Sequence, residues 1–572
     1  MFKIIKKNKK AISENFALIF VAILVGIIVS LVAQLMIIAA KNLFQFIFLN
    51  ESFSLTYSIN NITLNLIPLL ICVPSSIVVG MLMYFSGLPR WYGPADTIFA
   101  AHHKAGTLDL KGGFTSTLAS FVSISGGASV GIYGPLVHFG ATVSSFLRRL
   151  NFMPKIQHDI IIGSGVAAAI SAGFGAPIAG IIFAHETVLR HFSLKAIASI
   201  ALASITANFA AYKIGIVTPP LLVEKLDFEL SDVIVGLLIL GPFAAVIAMT
   251  FMKSMMEIST LPKKLHLKSW QAPVVAGVLC GFFGLFIDDV LGVGTQTILN
   301  VITLNLDVTF LLILLICKLI LTSCCIGFGF FGGTFSPALF LGAVLGALVF
   351  NLNYLGFQPS HLGVLAVSGM AAVSSSVIGA PITVIILVLE LTGSYQYSIA
   401  AIIPIAICSF ITSRVFGNSF FDRQLLSRGI AISKGREQIL LNEIKIKTYA
   451  SKDYTKIKEN MKTTQVINTF IKNKTTEGYI ISKNNEFLGK IRLMDIINKK
   501  DQNILKLKET KPLVLDPDLS LLNSIKKLSK FVGESVPIIK RSNQEFLGII
   551  SENDVLEAYL EISNEINHIE KD

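Results

Sequence analysis

Long apolar runs recur from Phe16 to about Arg414 and then stop. ALIFVAILVGIIVSLVAQLMIIAA, just after Phe16, and VIVGLLILGPFAAVIAMTF, from Val233, each hold about 20 residues without a charge, enough to span a bilayer as a helix. The pattern predicts a polytopic helical membrane domain over residues 16–430, with a basic segment at 1–15 before it and a soluble tail at 434–572 after it. Several runs are cut by Gly and Pro, as in LLICVPSSIVVGMLMYFSGLPRWYGPAD. Broken helices at membrane depth persist only where backbone is buried in protein or lines a wet cavity, so these breaks point to a transport path.

The pattern also repeats. GIYGPLVHFGA, from Gly131, matches GTFSPALFLGA, from Gly333, with Gly, Pro and the closing Gly-Ala in register. GAPIAGIIFAHE, from Gly175, then matches GAPITVIILVLE, from Gly379. Two pairs in the same order and at nearly the same offset make the membrane domain an internal duplication, with halves at about 16–255 and 272–416. Transporters are commonly built this way, with the substrate site where broken helices of the two halves meet. In the tail, NNEFLGKIRLMDII and NQEFLGIISENDVL place Phe-Leu-Gly at 487–489 and 546–548. Each copy reads as strand, tight turn, strand and amphipathic helix, an α/β module used twice.

Composition agrees with the membrane reading. Apolar residues make up 53% of the 572 and charged ones only 15%, against about a quarter in soluble proteins. The five lysines of MFKIIKKNKK fit a cytoplasmic N-terminus held by the positive-inside rule. That rule and the Lys-rich tail account for the net charge of +12, which therefore carries no nucleic-acid inference. The six cysteines lie in apolar stretches without disulfide or metal-ligand spacing and read as packing residues.

GIYGP and GTFSP each lead from a glycine-rich turn straight into an apolar helix. The first amides of such a helix lack intrahelical partners, and the macrodipole leaves partial positive charge there. In a membrane this makes an anion site without burying a whole Lys or Arg charge. The plainer reading is close helix packing through small residues. Gly131, Ile132, Tyr133, Gly134 and Pro135 form the first candidate segment, and Gly333, Thr334, Phe335, Ser336 and Pro337 the second.

The four matched segments together resemble the CLC chloride channels and chloride/proton antiporters, and the tail resembles paired CBS domains. The resemblance covers Phe16 to Ile562. It implies a helical polytopic membrane fold with an inverted internal repeat, a tandem α/β CBS tail, a homodimer in membrane lipid with one pore per subunit, and chloride or another small anion passing those helix ends. It also implies a multi-pass protein of the inner or plasma membrane with the N-terminus and CBS pair cytoplasmic.

This sequence departs from that family at the functional positions. The family's first turn reads Gly-Arg-Glu-Gly-Pro, with the glutamate as gate and, in antiporters, proton carrier; here Ile132 and Tyr133 stand in place of the arginine and glutamate. An unperturbed phenol, with a pKa of about 10, seldom cycles its proton near neutrality. The antiporters' second relay glutamate falls at Thr187, in AHET, which does not titrate. Glu186 beside it is either a substitute or, like its repeat partner Glu390, a structural residue at a helix end. The central serine and tyrosine hydroxyls of the family fall at Tyr92, next to Gly93, and at Phe421; a shift of two would put Pro94 at the first position. If Tyr92 holds that place, its phenol supplies the donor Phe421 lacks; otherwise it is an interfacial aromatic anchor. His138 reads as packing rather than as a proton carrier, and His102 and His103 make no metal site.

In the tail, Ser551 and Asp554 match the Ser/Thr-x-x-Asp with which CBS domains often hold an adenine-nucleotide ribose, and Pro537 lies in the strand that flanks the base. The same spacing is also an ordinary helix cap. The expectation is thus passive chloride permeation with no required cofactor, an adenine nucleotide at the CBS pair being the one ligand suggested. Two alternatives stand beside it: an antiporter with another proton route, through Glu186 or His138, and a membrane-anchored nucleotide sensor. An enzyme is not expected, because the membrane domain holds no nucleophile–base pair, metal cluster or phosphate loop.

Overall fold

The computed structural model describes residues 2–48, 55–59, 62–103, 108–149, 158–214, 228–352, 356–430, 436–499, 502–509 and 512–571. The side chains of the basic segment 1–15 and residues 434–435 at the start of the tail lie outside the described residues. The chain divides into two compact units, Met1–Ala431 and Ile432–Asp572.

The first unit opens with α1 (Phe2–Phe48), two antiparallel strands β1 (Thr56–Ile59) and β2 (Ile62–Asn65), α2 (Ile67–Ser86) and α3 (Pro94–His102). There follow α4 (Leu110–Ser125), α5 (Tyr133–Arg148), α6 (His158–Phe174), α7 (Pro177–Phe183), α8 (Leu194–Lys213) and α9 (Leu230–Ile258). After the short α10 (Leu261–Lys264) come α11 (Ala272–Gly284), α12 (Thr295–Thr303), α13 (Val308–Phe328) and α14 (Phe335–Phe350). The unit closes with α15 (His361–Ile378), α16 (Pro381–Thr392), α17 (Tyr395–Val415) and α18 (Phe420–Ser427).

Among the described residues, seven helical stretches are long and apolar enough to cross a membrane. They are not equivalent. The 18 residues of α15 are buried throughout, whereas α1 turns Phe20 and Leu35 outward, as a helix against lipid does. The breaks have local causes. Proline opens α7 and α16 in their first turns, where its missing amide costs no hydrogen bond, and α16 ends at Gly393 with φ 62°.

The duplication is visible in the packing. α5 lies on α6 as α14 lies on α15. Both crossings bring backbone against backbone: a Cβ on Gly140 would lie 2.2 Å from the Gly165 carbonyl oxygen, and one on Gly342 would lie 2.2 Å from that of Gly369. Only glycine allows so close an approach. The halves differ at one place. GAPITVIILVLE forms the regular α16, but GAPIAGIIFAHE passes from α7 into a π-helical turn over Ala184–Leu189.

The second unit begins with α19 (Arg436–Glu443), β3 (Lys456–Lys458), α20 (Thr463–Asn473), β4 (Glu477–Ile481), β5 (Phe487–Arg492) and α21 (Leu493–Ile496). It continues with α22 (Leu521–Leu528), β6 (Ser535–Lys540), β7 (Glu545–Ser551) and α23 (Glu552–Lys571). β3 runs parallel to β4, while β4–β5 and β6–β7 are antiparallel pairs with a register shift at matching places, Ile480/Ile481 and Ile538/Ile539. The second copy has the expected strand–turn–strand–helix form. In the first, the helix is a single turn, α21. Ala558 and Ile562 extend the apolar face of α23 into the core, whereas α21 is followed by the polar NKKDQN.

Candidate functional site

The two glycine-rich turns touch. The Gly131 amide donates to the Gly333 carbonyl at 2.8 Å, and the Gly333 amide donates back to the Gly131 carbonyl at 2.5 Å. Both positions require glycine, since a Cβ on Gly131 would lie 2.7 Å from Ser336 Oγ and one on Gly333 would lie 2.6 Å from the Gly134 nitrogen. The clasp sets the starts of α5 and α14 side by side. Ile132 and Thr334 are their N-caps, and Pro135 and Pro337 occupy the first turn, where proline is tolerated. Tyr133, Gly134, Phe335 and Ser336 are the helical residues before each proline, and amides at these positions have no intrahelical acceptor.

Beside the clasp is a cavity of about 30 Å³, room for one or two waters. Tyr133, Gly134, Thr334 and Phe335 line it with Phe174 and Phe421. The Tyr133 ring stacks on Phe174 with centroids 3.5 Å apart and planes at 19°. Phe335 stands edge-on to both, at 6.2 Å and 5.3 Å. No lining residue carries a charge. Thr334 Oγ1 and Ser336 Oγ, at the start of α14, are buried and have no hydrogen-bond partner among the described residues. The site therefore offers helix-end amides and hydroxyls inside an aromatic wall.

Of the two placements open for the family's serine, the cavity wall contains Pro94, with Tyr92 packed elsewhere. The Tyr92 ring lies parallel to His138 at 6.3 Å, under the Arg90 guanidinium at 4.8 Å, and its amide donates to Ser116 Oγ at 3.0 Å. Gly93 caps α3, its amide donating to Asp96 Oδ2 at 3.0 Å. Asp96 is itself held by Arg90 at 2.5 and 2.9 Å and by Arg428 at 2.9 Å. His138 Nδ1 lies 2.9 Å from Thr97 Oγ1, and its Nε2 is buried without a partner among the described residues.

The two carboxylates matched by the repeat, Glu186 and Glu390, do not line the cavity and cap helices across the repeat. Glu186 accepts from the Ile382 amide at 3.0 Å and from the Thr383 amide and hydroxyl at 2.7 Å, closing the start of α16. Glu390 accepts from the Ile178 and Ala179 amides at 2.9 and 2.8 Å, closing the start of α7. Asp96 does the same for α3. Six helix starts thus line the cavity, those of α3, α5, α7, α14, α16 and α18; carboxylates cap four of them, Asp422 serving α18, which leaves those of α5 and α14. Thr187 lies in the π-helical turn, its Oγ1 buried without a partner among the described residues. A second, polar cleft of about 630 Å³ opens beside Glu186 and the Arg190–Asp422 ion pair.

Sequence reasoning missed Phe174 and the crossed caps. The Glu186/Glu390 repeat match was the available signal for the caps; Phe174 comes from a different helix, and nothing in its neighbours marks it. In the tail, Ser551 Oγ donates to Asp554 Oδ2 at 2.7 Å, and the Asp554 amide donates back to Ser551 Oγ at 3.2 Å, a reciprocal cap at the start of α23. Pro537 lies in β6, paired with Ile549. At the first copy's equivalent of Ser551, Arg492 reaches Glu477 and Glu509, each at 3.5 Å.

Residues 75–414 match the profile of the family described as voltage gated chloride channel, and residues 506–561 match that of the CBS domain. The H(+)/Cl(-) exchange transporter ClcA of Yersinia pestis is 28% identical over 330 residues, 54% of this chain and 66% of the relative. The chain thus spans slightly under two thirds of that relative's length. The Vibrio vulnificus protein of the same name is 30% identical over 335 residues, 56% of this chain and 70% of the relative. Among solved structures, a slow cyanobacterial Cl-/H+ antiporter superposes with TM-score 0.62 at 19% identity, over 73% of this chain and 99% of that one. A eukaryotic CLC transporter also gives 0.62, at 17% identity, over 94% of this chain and 98% of that one.

Proposed function

This chain belongs to the voltage gated chloride channel family and has its inverted-repeat membrane fold with a CBS tail, and from that footing we propose that it passes chloride across the membrane without obligatory proton exchange. One observation carries the reading: the free starts of α5 and α14 meet at a cavity whose lining includes no carboxylate. Partial positive charge fixed by backbone binds a small anion and still lets it leave. Tyr133 occupies the gate position, and Thr187 the second proton position of the resemblance. Neither a phenol in an aromatic stack nor a threonine cycles a proton as a carboxylate does. The test is chloride efflux from liposomes holding the purified protein, with valinomycin balancing charge; efflux no faster than from protein-free liposomes would refute it.

The relatives named as H(+)/Cl(-) exchangers and the unpartnered His138 Nε2 favour a second reading, exchange by another proton route. For assembly we propose a homodimer with the N-terminus and CBS pair on the cytoplasmic side. Adenine-nucleotide binding at Pro537, Ser551 and Asp554 is a proposal of its own, since the ribose would have to draw Asp554 from its cap. Calorimetric titration of the full chain with ATP tests it, and an absence of heat would leave the pair as a cap alone.

A further inference from the structure

The 630 Å³ cleft contains an acceptor that chloride passage does not use. His185, in the π-helical turn, lines this cleft and is fully buried. Its Nδ1 lies 2.9 Å from the His191 carbonyl oxygen. A carbonyl only accepts, so the neutral ring carries its proton on Nδ1 and donates it there. The lone pair of Nε2 is then unpaired: that atom is buried and has no hydrogen-bond partner among the described residues. The ring cannot easily turn to find one, because it is stacked on Phe192 at 4.9 Å and 17°.

We propose that His185 is a proton-binding site in the wall of this cleft, and that its protonation promotes anion movement through the cleft. The proton comes from hydronium in the cleft, which leaves as water, and adds to the Nε2 lone pair, giving an imidazolium with Nδ1–H still bonded to the His191 carbonyl. No other bond changes.

Of the titratable groups in the cleft wall, Glu186, Arg190 and Asp422 are engaged with partners, which leaves His185. On its own segment, Glu186 is committed to the α16 amides and Arg190 to Asp422 of α18. His191 supplies the carbonyl, and its own Nδ1 lies 3.0 Å from the Leu189 carbonyl oxygen. Of the helices packed against the turn, α3 carries Asp96, held by Arg90 and Arg428, and His102, whose Nδ1 lies 2.8 Å from the Ile98 carbonyl oxygen. α6 carries His158 and Asp159, and α7 has no titratable side chain. Ser409 Oγ, also in the cleft wall, is a buried hydroxyl without a partner among the described residues. A fixed positive charge in such a walled cleft raises the local concentration of anions.

The effect on flux rests on the chloride reading above, so the test has two arms. Protein with 15N-labelled histidine in lipid nanodiscs reports the ring nitrogens directly, and His185→Gln identifies the signal. The expected result is an Nδ1–H tautomer at high pH that converts to imidazolium as pH falls. In liposomes, chloride efflux of the unchanged protein should rise about fivefold between about pH 8 and about pH 5. H185Q, checked for fold by size-exclusion chromatography, should lose that rise. A His185 ring signal that stays neutral across this range, or an H185Q efflux that keeps the full pH response, overturns the proposal. Titration of His185 without any chloride flux at any pH would uphold the proton site and refute the anion path instead.

Discussion

Tyr133 decides how the site behaves. Its ring stacks on Phe174 beside the starts of α5 and α14, with Phe335 closing the third side. An aromatic pair of this kind adds about 0.5–1.5 kcal/mol beyond area burial, so a barrier made by displacing the ring slows passage up to about tenfold. Tyr133→Ala should accordingly raise chloride efflux by up to about tenfold, measured in liposomes. Tyr133→Glu should introduce pH-sensitive flux by restoring a titratable group; flux indifferent to pH in that variant would contradict the gate assignment. Tyr133 and Phe335 were legible because the repeat aligns them and the turn chemistry explains them. Phe174 was not, because its place is fixed by the packing of α6 against α5 rather than by any local pattern. Pro94 against Tyr92 was undecidable for a similar reason: RWYGPAD offers two alignments, and only the packing shows that Pro94, not Tyr92, lines the cavity.

Between elements, the crossed carboxylate caps are the device that ties the repeats together. Each replaces water at helix-end amides with a charged acceptor, worth about 1.5–3 kcal/mol per hydrogen bond. Glu390→Gln keeps the shape but removes the charge, and should cost about 1–2 kcal/mol. A lowered melting temperature in detergent is the readout. The glycine crossings are less tolerant. Gly369→Ala puts a methyl within 2.2 Å of the Gly342 carbonyl oxygen, where backbone must move. Overpacking of that kind costs about 1–3 kcal/mol or more, and the variant should run as aggregate on size-exclusion chromatography, whereas Ala at Gly393 has no neighbour to strike and meets only the milder strain of its left-handed φ of 62°. The helices and their breaks could be read from apolar run length and Gly/Pro placement. The π-helical turn could not: AHETVL has no residue that demands it.

Over the whole molecule, two units with separate cores carry separate expectations. In the tail, Lys490 and Glu477 form a buried ion pair at 2.5 Å, and Lys490 Nζ also donates to the Ser535 carbonyl at 2.7 Å, joining the first CBS copy to the second. Lys490→Met would leave Glu477 buried beside only Arg492, a loss of about 3–5 kcal/mol; chemical denaturation of the full chain should show the tail transition shifted to lower denaturant. The duplication in the tail was legible from Phe-Leu-Gly, but this pair was not, since a lysine on a predicted strand reads as solvent-facing until its neighbours are known. In the membrane unit, the duplication already implied that two turns converge, and the reciprocal Gly131–Gly333 hydrogen bonds are the contact by which they do.

The central claim is that chloride passes without carrying protons the other way. It is tested most directly by imposing a chloride gradient across liposomes containing the full chain, clamping the voltage with valinomycin, and following external pH. Chloride flow with no proton movement above that of protein-free liposomes is the predicted result. Protons driven uphill by the chloride gradient would contradict it, and would move the search for a proton route to His138 and His185.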